Sequence, residues 1–463
     1  MNTIHRISYA VAAITACAAP LNAQQKEAAP ALAAPKEFKL PAKQQFTLPN
    51  GMKVTLVPFG STPKVDVQLV VRAGNVDERA DQVWVADIMA DLLREGTLKR
   101  SATEVNTAAA SMGGSINSSV SLDELTVSGQ ALSEHATSLI QLLSEVALQP
   151  RFPETELARI KQNRLRQLAV SKSQPGTLAV EKFHNVMFPN HPYGRYFPTE
   201  AMLQGYTIQQ VRDFYDRNVT ASRAHLFVAG QFDANALTQT IRSTFGSWKA
   251  GQPAKPAAPT MANKRAIYLI DRPGAVQSSM YIGAPTIDPS NPDYRALQVT
   301  NMLLGGAFGS RITRNIREDK GYTYSPFSTV NARYRNAFWA EIADVTTNVT
   351  GASLKEIFAE IDRLQQEPPS ATELKGIQDN MIGQYMMQGS SRGGIISLLR
   401  AINLHGLPES YINDYVKQVS AVTAQEVTRV AKQYINDDNF TIVVVGDRKV
   451  VEDQLKPYGA IIE

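Results

Sequence analysis

The sequence predicts an α+β fold made of two homologous halves, each with a mainly antiparallel sheet and helices packed on it. The first observation is that residues 207–230 match residues 423–446 without a gap, 216 positions apart. The second is that VQLVVRAG at 67–74 and SMYIGAP at 279–285 fall at a similar offset of 212. The third is an Ala/Pro-rich stretch at 249–265, which divides the ordered chain into halves of comparable length. A tandem duplication explains all three.

The matched segments have the pattern of a helix followed by a strand. Each begins with a capping box, Thr207 with Gln210 and Thr423 with Glu426, which predicts a helix start. Each then runs through a polar turn into an apolar run that ends in glycine, which indicates a buried strand. We expect a first domain at 43–248, a linker at 249–265 and a second domain at 266–463.

The start of the first domain shows further strand and helix signals. Asn50-Gly51 lies between arms rich in β-formers, the strongest short signal for a hairpin. Residues 65–74 then predict a buried strand. The stretch ADIMADLLREGT at 86–97 predicts the start of a long amphipathic helix, with Asp87 and Asp91 one turn apart.

The N-terminus has the composition of an export signal. Arg6 precedes an apolar run that ends in small residues, which predicts a signal peptide at 1–23, cleaved after Ala23. A second interpretation is that Cys17, at the end of ITAC, is acylated as in bacterial lipoproteins. We favour cleavage after Ala23, because the apolar run continues past Cys17. Residues 24–42 predict a flexible leader in either case.

Composition and motifs exclude several function classes. The formal net charge is only +4 for 463 residues, and the basic residues are scattered, so we expect no nucleic-acid partner and contact with a membrane only if Cys17 is lipidated. No two of the six histidines lie three to five residues apart, as a helical zinc pair would require. The single cysteine is cleaved off or acylated, and no nucleophile elbow or phosphate loop is present. The residues alone therefore supply no complete catalytic set.

Several motifs carry a resemblance that spans residues 46–446. They are FTLPNGMKVTLVP, VVRAGNVDE, LLREGT, HPYGR, the VAG that closes a strand, and LLGGAFGSRITRNIREDKGYTYS. Together they resemble the pitrilysin/insulinase/mitochondrial-processing-peptidase family, in particular its short bacterial members. The resemblance implies paired α+β domains that form half of a clamshell chamber for peptides. It also implies a zinc site with an inverted H-x-x-E-H motif and a further glutamate ligand downstream.

In this sequence the metal motif is degenerate. The H-x-x-E-H positions fall on residues 87–91, so that Asp87 and Asp91 replace the histidines and Ala90 replaces the general base. The downstream ligand position falls on Gln167. These residues supply neither the imidazoles that suit zinc nor a carboxylate to activate its water, so we expect no metal in this chain. A weak site for a hard cation at Asp87 and Asp91 remains an alternative to two polar residues that face a wet chamber.

The second half retains a pair that the resemblance places at the substrate. Arg317 and Tyr324 fall at the positions from which family members reach across the chamber. Arginine can hold a peptide carbonyl or carboxylate, and a tyrosine hydroxyl can donate to an oxyanion. Tyr322, two residues earlier, is interpreted as a packing or chamber-wall residue.

The resemblance therefore implies the non-zinc subunit of a heteromeric zinc metallopeptidase. We expect a homologous zinc-bearing subunit as partner, in a heterodimer or larger complex, with Arg317 and Tyr324 acting on peptide substrates in trans. We expect this complex in the periplasm of a Gram-negative bacterium. Two alternatives remain open: a peptide-binding or scaffold protein without activity that retains the fold, and a hydrolase with an unrecognised site.

Overall fold

Two six-stranded sheets form the framework of the chain. The computed structural model describes residues 37–255 and 258–462. The predicted signal peptide at 1–23, Cys17 and leader residues 24–36 lie outside the described residues. Within those residues, no helix is both long and apolar enough to cross a membrane. Residues 249–255 and 258–265, in the predicted linker, contain neither helix nor strand.

Each sheet takes its strands from one half of the chain. The first sheet contains β1 (Gln44–Thr47), β2 (Lys53–Pro58), β3 (Lys64–Val71), β4 (Ser115–Val120), β5 (Leu125–Leu132) and β6 (Ala224–Gly230). The second contains β7 (Ala266–Asp271), β8 (Gln277–Thr286), β9 (Phe327–Arg333), β10 (Asn336–Thr346), β11 (Thr441–Gly446) and β12 (Ile461–Ile462).

The two sheets have equivalent topology, which confirms the predicted homologous α+β halves. Their orders are β1-β2-β6-β3-β5-β4 and β12-β7-β11-β8-β10-β9. The equivalent inner pairs β2–β6 and β7–β11 are parallel, and β3 and β8 each pair antiparallel with both neighbours. The sheets differ at one edge, where β1 is antiparallel to β2 whereas β12 is parallel to β7.

Seventeen α-helices in the described residues surround the sheets. In the first half they are α1 (Val85–Leu93), α2 (Ala102–Ser111), α3 (Ala136–Leu148), α4 (Glu154–Ser173), α5 (Pro175–Met187), α6 (Glu200–Gly205), α7 (Ile208–Asn218) and α8 (Ala234–Phe245). In the second they are α9 (Tyr294–Asn301), α10 (Arg311–Thr313), α11 (Thr350–Gln366), α12 (Ala371–Gly389), α13 (Arg392–His405), α14 (Ser410–Asn413), α15 (Tyr415–Ala421), α16 (Ala424–Tyr434) and α17 (Arg448–Leu455).

The local sequence signals explain the starts of the equivalent helices α7 and α16. Thr207 accepts a hydrogen bond from the backbone N–H of Gln210, and Thr423 accepts one from that of Glu426. In both boxes the second side chain bonds back to the threonine N–H, which satisfies donors that the first helical turn leaves free. The hairpin also forms where Asn50-Gly51 predicts it, with Gly51 at φ +90°.

Helix α1 differs from the prediction, because it is short and almost wholly buried rather than long and amphipathic. It has nine residues, of which seven are buried and only Asp87 and Asp91 are partly exposed. Gly96, at φ +104°, adopts a conformation that a continuing helix cannot accommodate. The Thr97 backbone then pairs with that of Arg100, which turns the chain away.

The two halves exchange one helix each. Helix α5 of the first half packs on β8 and β11 of the second sheet, while α13 of the second half packs on β3 and β6 of the first. Phe183 on α5 is fully buried, with its ring centroid 4.5 Å from that of Tyr281 and 5.4 Å from that of Phe338. Each sheet is thus covered on one face by its own helices and on the other by a helix of the opposite half.

Candidate functional site

A buried carboxylate fixes the N-terminus of helix α1. Trp84, just before the helix, has a left-handed backbone with φ +71°. The Glu78 carboxylate accepts hydrogen bonds from the backbone N–H groups of Trp84 at 3.0 Å and Ala86 at 2.9 Å. An acidic side chain is favourable at a helix N-terminus, where backbone N–H groups have no helical partner. Glu78 therefore holds the helix that carries the degenerate motif.

A guanidinium group lies between the two aspartates of that motif. Arg164 Nε donates to Asp91 at 2.8 Å, and Nη1 donates to Asp87 at 3.2 Å. Nη2 also donates to the Asp87 carbonyl at 3.2 Å, and Nη1 to the Gln167 side chain at 3.1 Å. One cationic side chain on α4 therefore joins three of the four predicted metal-site positions.

The second oxygen of Asp87 is also occupied. Asn75 Nδ2 donates to it at 2.8 Å and to Glu78 at 3.1 Å. Burial raises the pKa of Asp87, while Arg164 acts in the opposite direction. Burial, and secondarily the charge of Asp87, raises the pKa of Glu78 to about 8. Arg164 is thus the cationic group that bonds to both aspartates.

The residues present do not fit a zinc ion. The imidazoles that zinc favours are missing, and Ala90 offers only a buried methyl group where a base would be needed. The Ala90 carbonyl is engaged too, since Ser118 on β4 donates to it at 2.6 Å. No group of three or more His, Cys, Asp or Glu side chains that could hold a metal exists within the described ranges. The geometry also disfavours a hard cation, because Arg164 already bonds to both aspartates.

Arg317 and Tyr324 lie together in the second half. The Arg317 guanidinium carbon is 5.4 Å from the centroid of the Tyr324 ring and 4.1 Å from that of Phe308. Tyr324 is 81% exposed and Phe308 is 71% exposed. In the part of the chain that the structure describes, Arg317 has no hydrogen bond or ion pair and the Tyr324 hydroxyl has no partner. Their donors are therefore available to a bound molecule.

The backbone around this pair is fixed by bonds to β10. Thr323 forms a bridge with Val345, and its hydroxyl donates to the Asp344 carbonyl at 2.6 Å. The Tyr322 N–H donates to the Ile316 carbonyl at 2.8 Å. Tyr322 is only partly exposed, whereas Tyr324 projects into solvent. A π-helical turn at 302–306 precedes Phe308, and a second at 314–319 contains Arg317. Such turns are frequent at functional sites.

Sequence analysis did not single out several residues of these two clusters, among them Arg164, Glu78 and Phe308. Arg164 lies 73 residues from Asp91, and its only signal is its position one turn before Gln167 on a basic helix. The sequence signal for Glu78 is its acidic side chain shortly before a predicted helix. The signal for Phe308 is an aromatic side chain within a glycine-rich segment. Among the described residues, no hydrogen bond, ion pair or ring contact joins the Arg164 cluster to the Arg317 cluster.

Two family models match consecutive parts of this chain. Residues 54–197 match the model described as insulinase (peptidase family M16), and residues 205–381 match the peptidase M16 inactive domain. The two matches follow one another along most of the chain, and the second begins within the first half, before β6, and extends into the second half. The chain belongs to peptidase family M16.

Individual proteins and solved structures are similar over most of this chain. An uncharacterized zinc protease of Mycobacterium tuberculosis is 25% identical over 413 residues, which cover 85% of this chain and 91% of that protein. A crystal structure of a peptidase M16 inactive domain from Pseudomonas fluorescens is 23% identical with a TM-score of 0.80, over 88% of this chain and 98% of that one. The periplasmic protease PqqL of Escherichia coli has a TM-score of 0.76 at 15% identity, over 88% of this chain and 46% of that one.

These similarities confirm the two-halved α+β fold and the predicted family. The relative from Mycobacterium tuberculosis is named as a zinc protease and is similar over most of this chain. This chain nevertheless has Asp87, Ala90 and Asp91 at the predicted motif positions of helix α1. In this M16 chain the fold is present, and three of the four predicted metal-site positions are joined by an arginine.

Proposed function

We propose that this M16 chain is the non-zinc subunit of a heteromeric zinc metallopeptidase. It would complete a peptide chamber and act on the bound peptide through Arg317 and Tyr324. The observation that carries the proposal is the contrast between the two clusters. The metal-site positions are joined by Arg164, whereas the donors of Arg317 and Tyr324 are unengaged and exposed.

The chemistry of the exposed pair suits peptide hydrolysis at a zinc ion held by another chain. A guanidinium can bind a peptide carbonyl or carboxylate with its planar set of donors. A phenolic hydroxyl directed at the oxygen of a tetrahedral intermediate stabilises the charge that develops there. Phe308 orients Arg317 from one side through a cation–π contact, which reduces the conformational freedom that binding would have to remove.

An edge strand offers a place for an extended peptide. Within residues 37–255 and 258–462, strand β4 ends the first sheet and pairs on one side only, with β5. Its Ser118 contacts Ala90 of helix α1, so a peptide added to β4 as a further strand would run beside that helix. Strand addition uses backbone hydrogen bonds and tolerates many sequences. This supports peptides as the ligand class.

The proposed partner is a homologous, zinc-bearing M16 subunit, and the proposed location is the periplasm. The predicted signal peptide supports export. The fold similarity to a periplasmic protease is in keeping with that location. A zinc ion on the partner would supply the activated water, so this chain needs no metal of its own.

The test is to purify the chain alone and together with the homologous M16 chain of the same cell that has an intact H-x-x-E-H. Zinc is measured by atomic absorption, association by gel filtration, and peptide cleavage by mass spectrometry. We expect this chain alone to contain no stoichiometric zinc and to cleave no peptide. We expect the two chains together to form a stable complex that contains zinc and cleaves peptides. A chamber built from two chains needs an interface of roughly 2,000 Å² or more.

Two outcomes would reject the proposal. Zinc near one per chain with chelator-sensitive cleavage by the chain alone would show a metal site that the residues do not predict. Separate elution of the two chains at micromolar concentration would favour the alternative, a peptide-binding or scaffold protein.

A further inference from the structure

A cavity of about 320 Å³ lies among helices α9, α12, α13, α14 and α15 of the second half. None of the residues that line it belongs to the Arg164 cluster or to the Arg317 cluster. Its apolar wall includes Leu398 and Ile402 of α13. Four tyrosines also line it: Tyr294, Tyr385, Tyr411 and Tyr415. Cavities of roughly 300 Å³ or more, lined by apolar and aromatic side chains with a few polar groups, are typical of ligand sites.

One side chain of the cavity wall carries a buried charge. Arg295, on α9, is only 8% exposed, and within residues 37–255 and 258–462 it forms no ion pair. Its guanidinium carbon lies over two rings, 4.2 Å from the Tyr411 centroid and 4.4 Å from the Tyr415 centroid. The Tyr415 ring stacks in turn on that of Tyr385, with centroids 3.8 Å apart. These rings hold the guanidinium in place but bring no negative charge to it.

The hydrogen bonds of Arg295 leave part of its donor set unused. Nε donates to the Gln418 side chain at 3.2 Å, and Nη1 donates to that of Gln298 at 2.7 Å. Nη2 donates to the Tyr411 carbonyl at 3.2 Å. All three acceptors are neutral, and they engage three of the five N–H groups of the guanidinium. Two N–H groups therefore have no acceptor in the part of the chain that the structure describes.

The acidic residue beside the cavity does not balance this charge. Asp288 directly precedes Pro289, which lines the cavity. The Asp288 Oδ1 atom accepts hydrogen bonds from the Ser290 N–H at 2.8 Å and from the Ser290 hydroxyl at 2.6 Å. Among the described residues it forms no ion pair with Arg295. Because natural proteins usually pair a buried cation with an anion, a ligand that brings a negative charge would complete the surroundings of Arg295.

Tyr294 brings a second donor to the same cavity. It directly precedes Arg295 on α9 and is only 4% exposed. Its hydroxyl has no hydrogen-bond partner within the described ranges. Burial raises the pKa of this phenol, so the hydroxyl is a protonated donor at neutral pH. A guanidinium and a phenol that line one cavity suit a carboxylate, which can accept hydrogen bonds from both.

We propose that this cavity binds an apolar molecule that carries one carboxylate. Arg295 holds the carboxylate through its two unused N–H groups, while Leu398, Ile402 and the tyrosine rings enclose the apolar part. The inference goes beyond the proposed function, because it requires neither zinc nor a partner subunit. Two sources share this chemistry. One is the C-terminal residue of a peptide that ends in an apolar side chain, and the other is a free aromatic or aliphatic acid.

A second cavity, of about 350 Å³, adjoins the first. Both are lined by Gln298, Tyr385, Gln388 and Tyr415. The second is also lined by Gln384 of α12 and by Thr329 of β9, the strand that ends the second sheet. Side-chain amides and an edge strand offer hydrogen-bonding groups to a peptide backbone. A peptide would therefore have space for the residues before its C-terminal one, whereas a free acid would occupy the first cavity alone.

Isothermal titration calorimetry with the isolated full chain tests the site. The probes are two matched pairs: N-acetylphenylalanine with its amide, and an N-acetylated tetrapeptide that ends in phenylalanine, as the free acid and as the amide. In at least the first pair the acid should bind roughly 10- to 100-fold more tightly than the amide, the range for hydrogen bonds to a charged group. A tetrapeptide acid that binds at least about tenfold more tightly than N-acetylphenylalanine assigns the C-terminus of a peptide; equal or weaker binding assigns a free acid.

The matched variants remove one positive charge each. Arg295→Gln should abolish the preference for the acids, whereas Lys417→Gln should retain it, because Lys417 is exposed on α15 and does not line the cavity. If Arg295→Gln does not fold, as measured by circular dichroism, Ala401→Trp tests the site with the charge in place. Ala401 is an exposed residue of the cavity wall, and an indole there should fill the cavity and weaken binding of N-acetylphenylalanine by about tenfold or more.

Four outcomes would overturn the inference. They are equal binding of N-acetylphenylalanine and its amide, no binding of any probe, a preference for the acid that persists in Arg295→Gln, and unchanged binding by Ala401→Trp. Because zinc and the partner subunit are absent from this experiment, its failure and the failure of the proposed function are distinguishable.

Discussion

At the scale of single residues, Arg164 determines what the degenerate motif can do. Its guanidinium takes the place of a bound cation and links helix α4 to helix α1 through Asp87 and Asp91. Removing one member of a partly buried group of paired charges destabilises the folded state by more than the intact group stabilises it, because the remaining charges stay partly buried without a partner. The arginine is therefore part of the folded structure and not only a surface charge.

Arg164→Leu should destabilise the chain by roughly 1–3 kcal/mol, less than for a fully buried pair since the partners are partly exposed. The reason is that Asp87 and Asp91 would face each other without a counter-charge. Urea unfolding at pH 7 measures this free energy, and Arg166→Leu on the exposed side of the same helix is the control. Adding Asp91→Asn to Arg164→Leu should recover part of the loss; equal stability of both arginine variants would contradict this account.

A second residue-scale feature is Glu341 on β10. It is fully buried, and neither carboxyl oxygen has a hydrogen-bond partner in the described part of the chain. It lies opposite Ser328, and a Cβ atom on Gly305 would come within 2.6 Å of its Oε2. Glu341 is thus directly beneath the π-helical turn that precedes Phe308. Burial raises its pKa well above the ordinary value of 4.5.

This burial predicts a pH dependence of stability. Above pH 4.5 the unfolded chain releases the Glu341 proton while the folded chain retains it, so the folded state binds more protons. The free energy of unfolding should therefore fall as pH rises from about 4.5 toward the folded pKa. Glu341→Gln should remove this component, so that its stability relative to the parent increases between pH 5 and 8 in guanidinium unfolding.

The control for Glu341 is Glu318→Gln, which changes an exposed glutamate of the neighbouring 314–319 turn. Its stability should follow the parent at every pH. Parallel curves for Glu341→Gln and the parent would show that the carboxyl is ionised in the folded chain.

At the scale of elements, local patterns predict what local contacts determine. The capping boxes at Thr207 and Thr423 and the turn at Asn50-Gly51 involve residues within a few positions of each other, and the structure confirms them. The predicted length of helix α1 was wrong, because Gly96 and the hydrogen bond from the Thr97 N–H to the Arg100 carbonyl turn the chain away soon after Leu93. Arg164 could not be predicted, because its partners lie 73 and 77 residues away.

The exchange of helices α5 and α13 could likewise not be predicted from local sequence. The local pattern of each segment indicates a helix with an apolar face, but which sheet that face covers depends on the tertiary fold. Because each sheet depends on a helix of the other half, the halves should not unfold independently.

Phe183→Ala on α5 should therefore destabilise both sheets together, by roughly 3–5 kcal/mol for loss of a fully buried ring. Hydrogen exchange with mass spectrometry, at increasing denaturant, measures the protection of β6 and β11 in one experiment. Both strands should lose protection at the same lower denaturant concentration. Phe308→Ala, which truncates an exposed phenylalanine, should leave both nearly unchanged. Early loss in β11 alone would show that the halves are independent.

At the scale of the whole molecule, the duplicated fold places the two clusters in different halves. The first half carries α1 with its degenerate positions, and the second carries Arg317 and Tyr324. The residues alone predicted the duplication, while the roles of the clusters came from the family resemblance. What neither could predict is the state of each cluster, because this depends on contacts such as those of Arg164 and Phe308.

Tyr324 is the residue on which the proposed role of this subunit depends most directly. We expect Tyr324→Phe to leave zinc content, folding and assembly of the reconstituted complex unchanged, because the hydroxyl has no partner among the described residues. It should lower kcat by roughly 10²–10³, the effect of removing a donor aimed at an oxyanion. Arg317→Ala should also raise KM, since a charged donor holds the substrate before the transition state.

Steady-state kinetics of the complex with Tyr324→Phe, with Tyr322→Phe as the matched control, is the decisive measurement. The predicted result is a large loss of kcat for Tyr324→Phe and little change for Tyr322→Phe. Full activity of Tyr324→Phe, whether or not Tyr322→Phe is impaired, would contradict the claim that this subunit supplies that donor in trans.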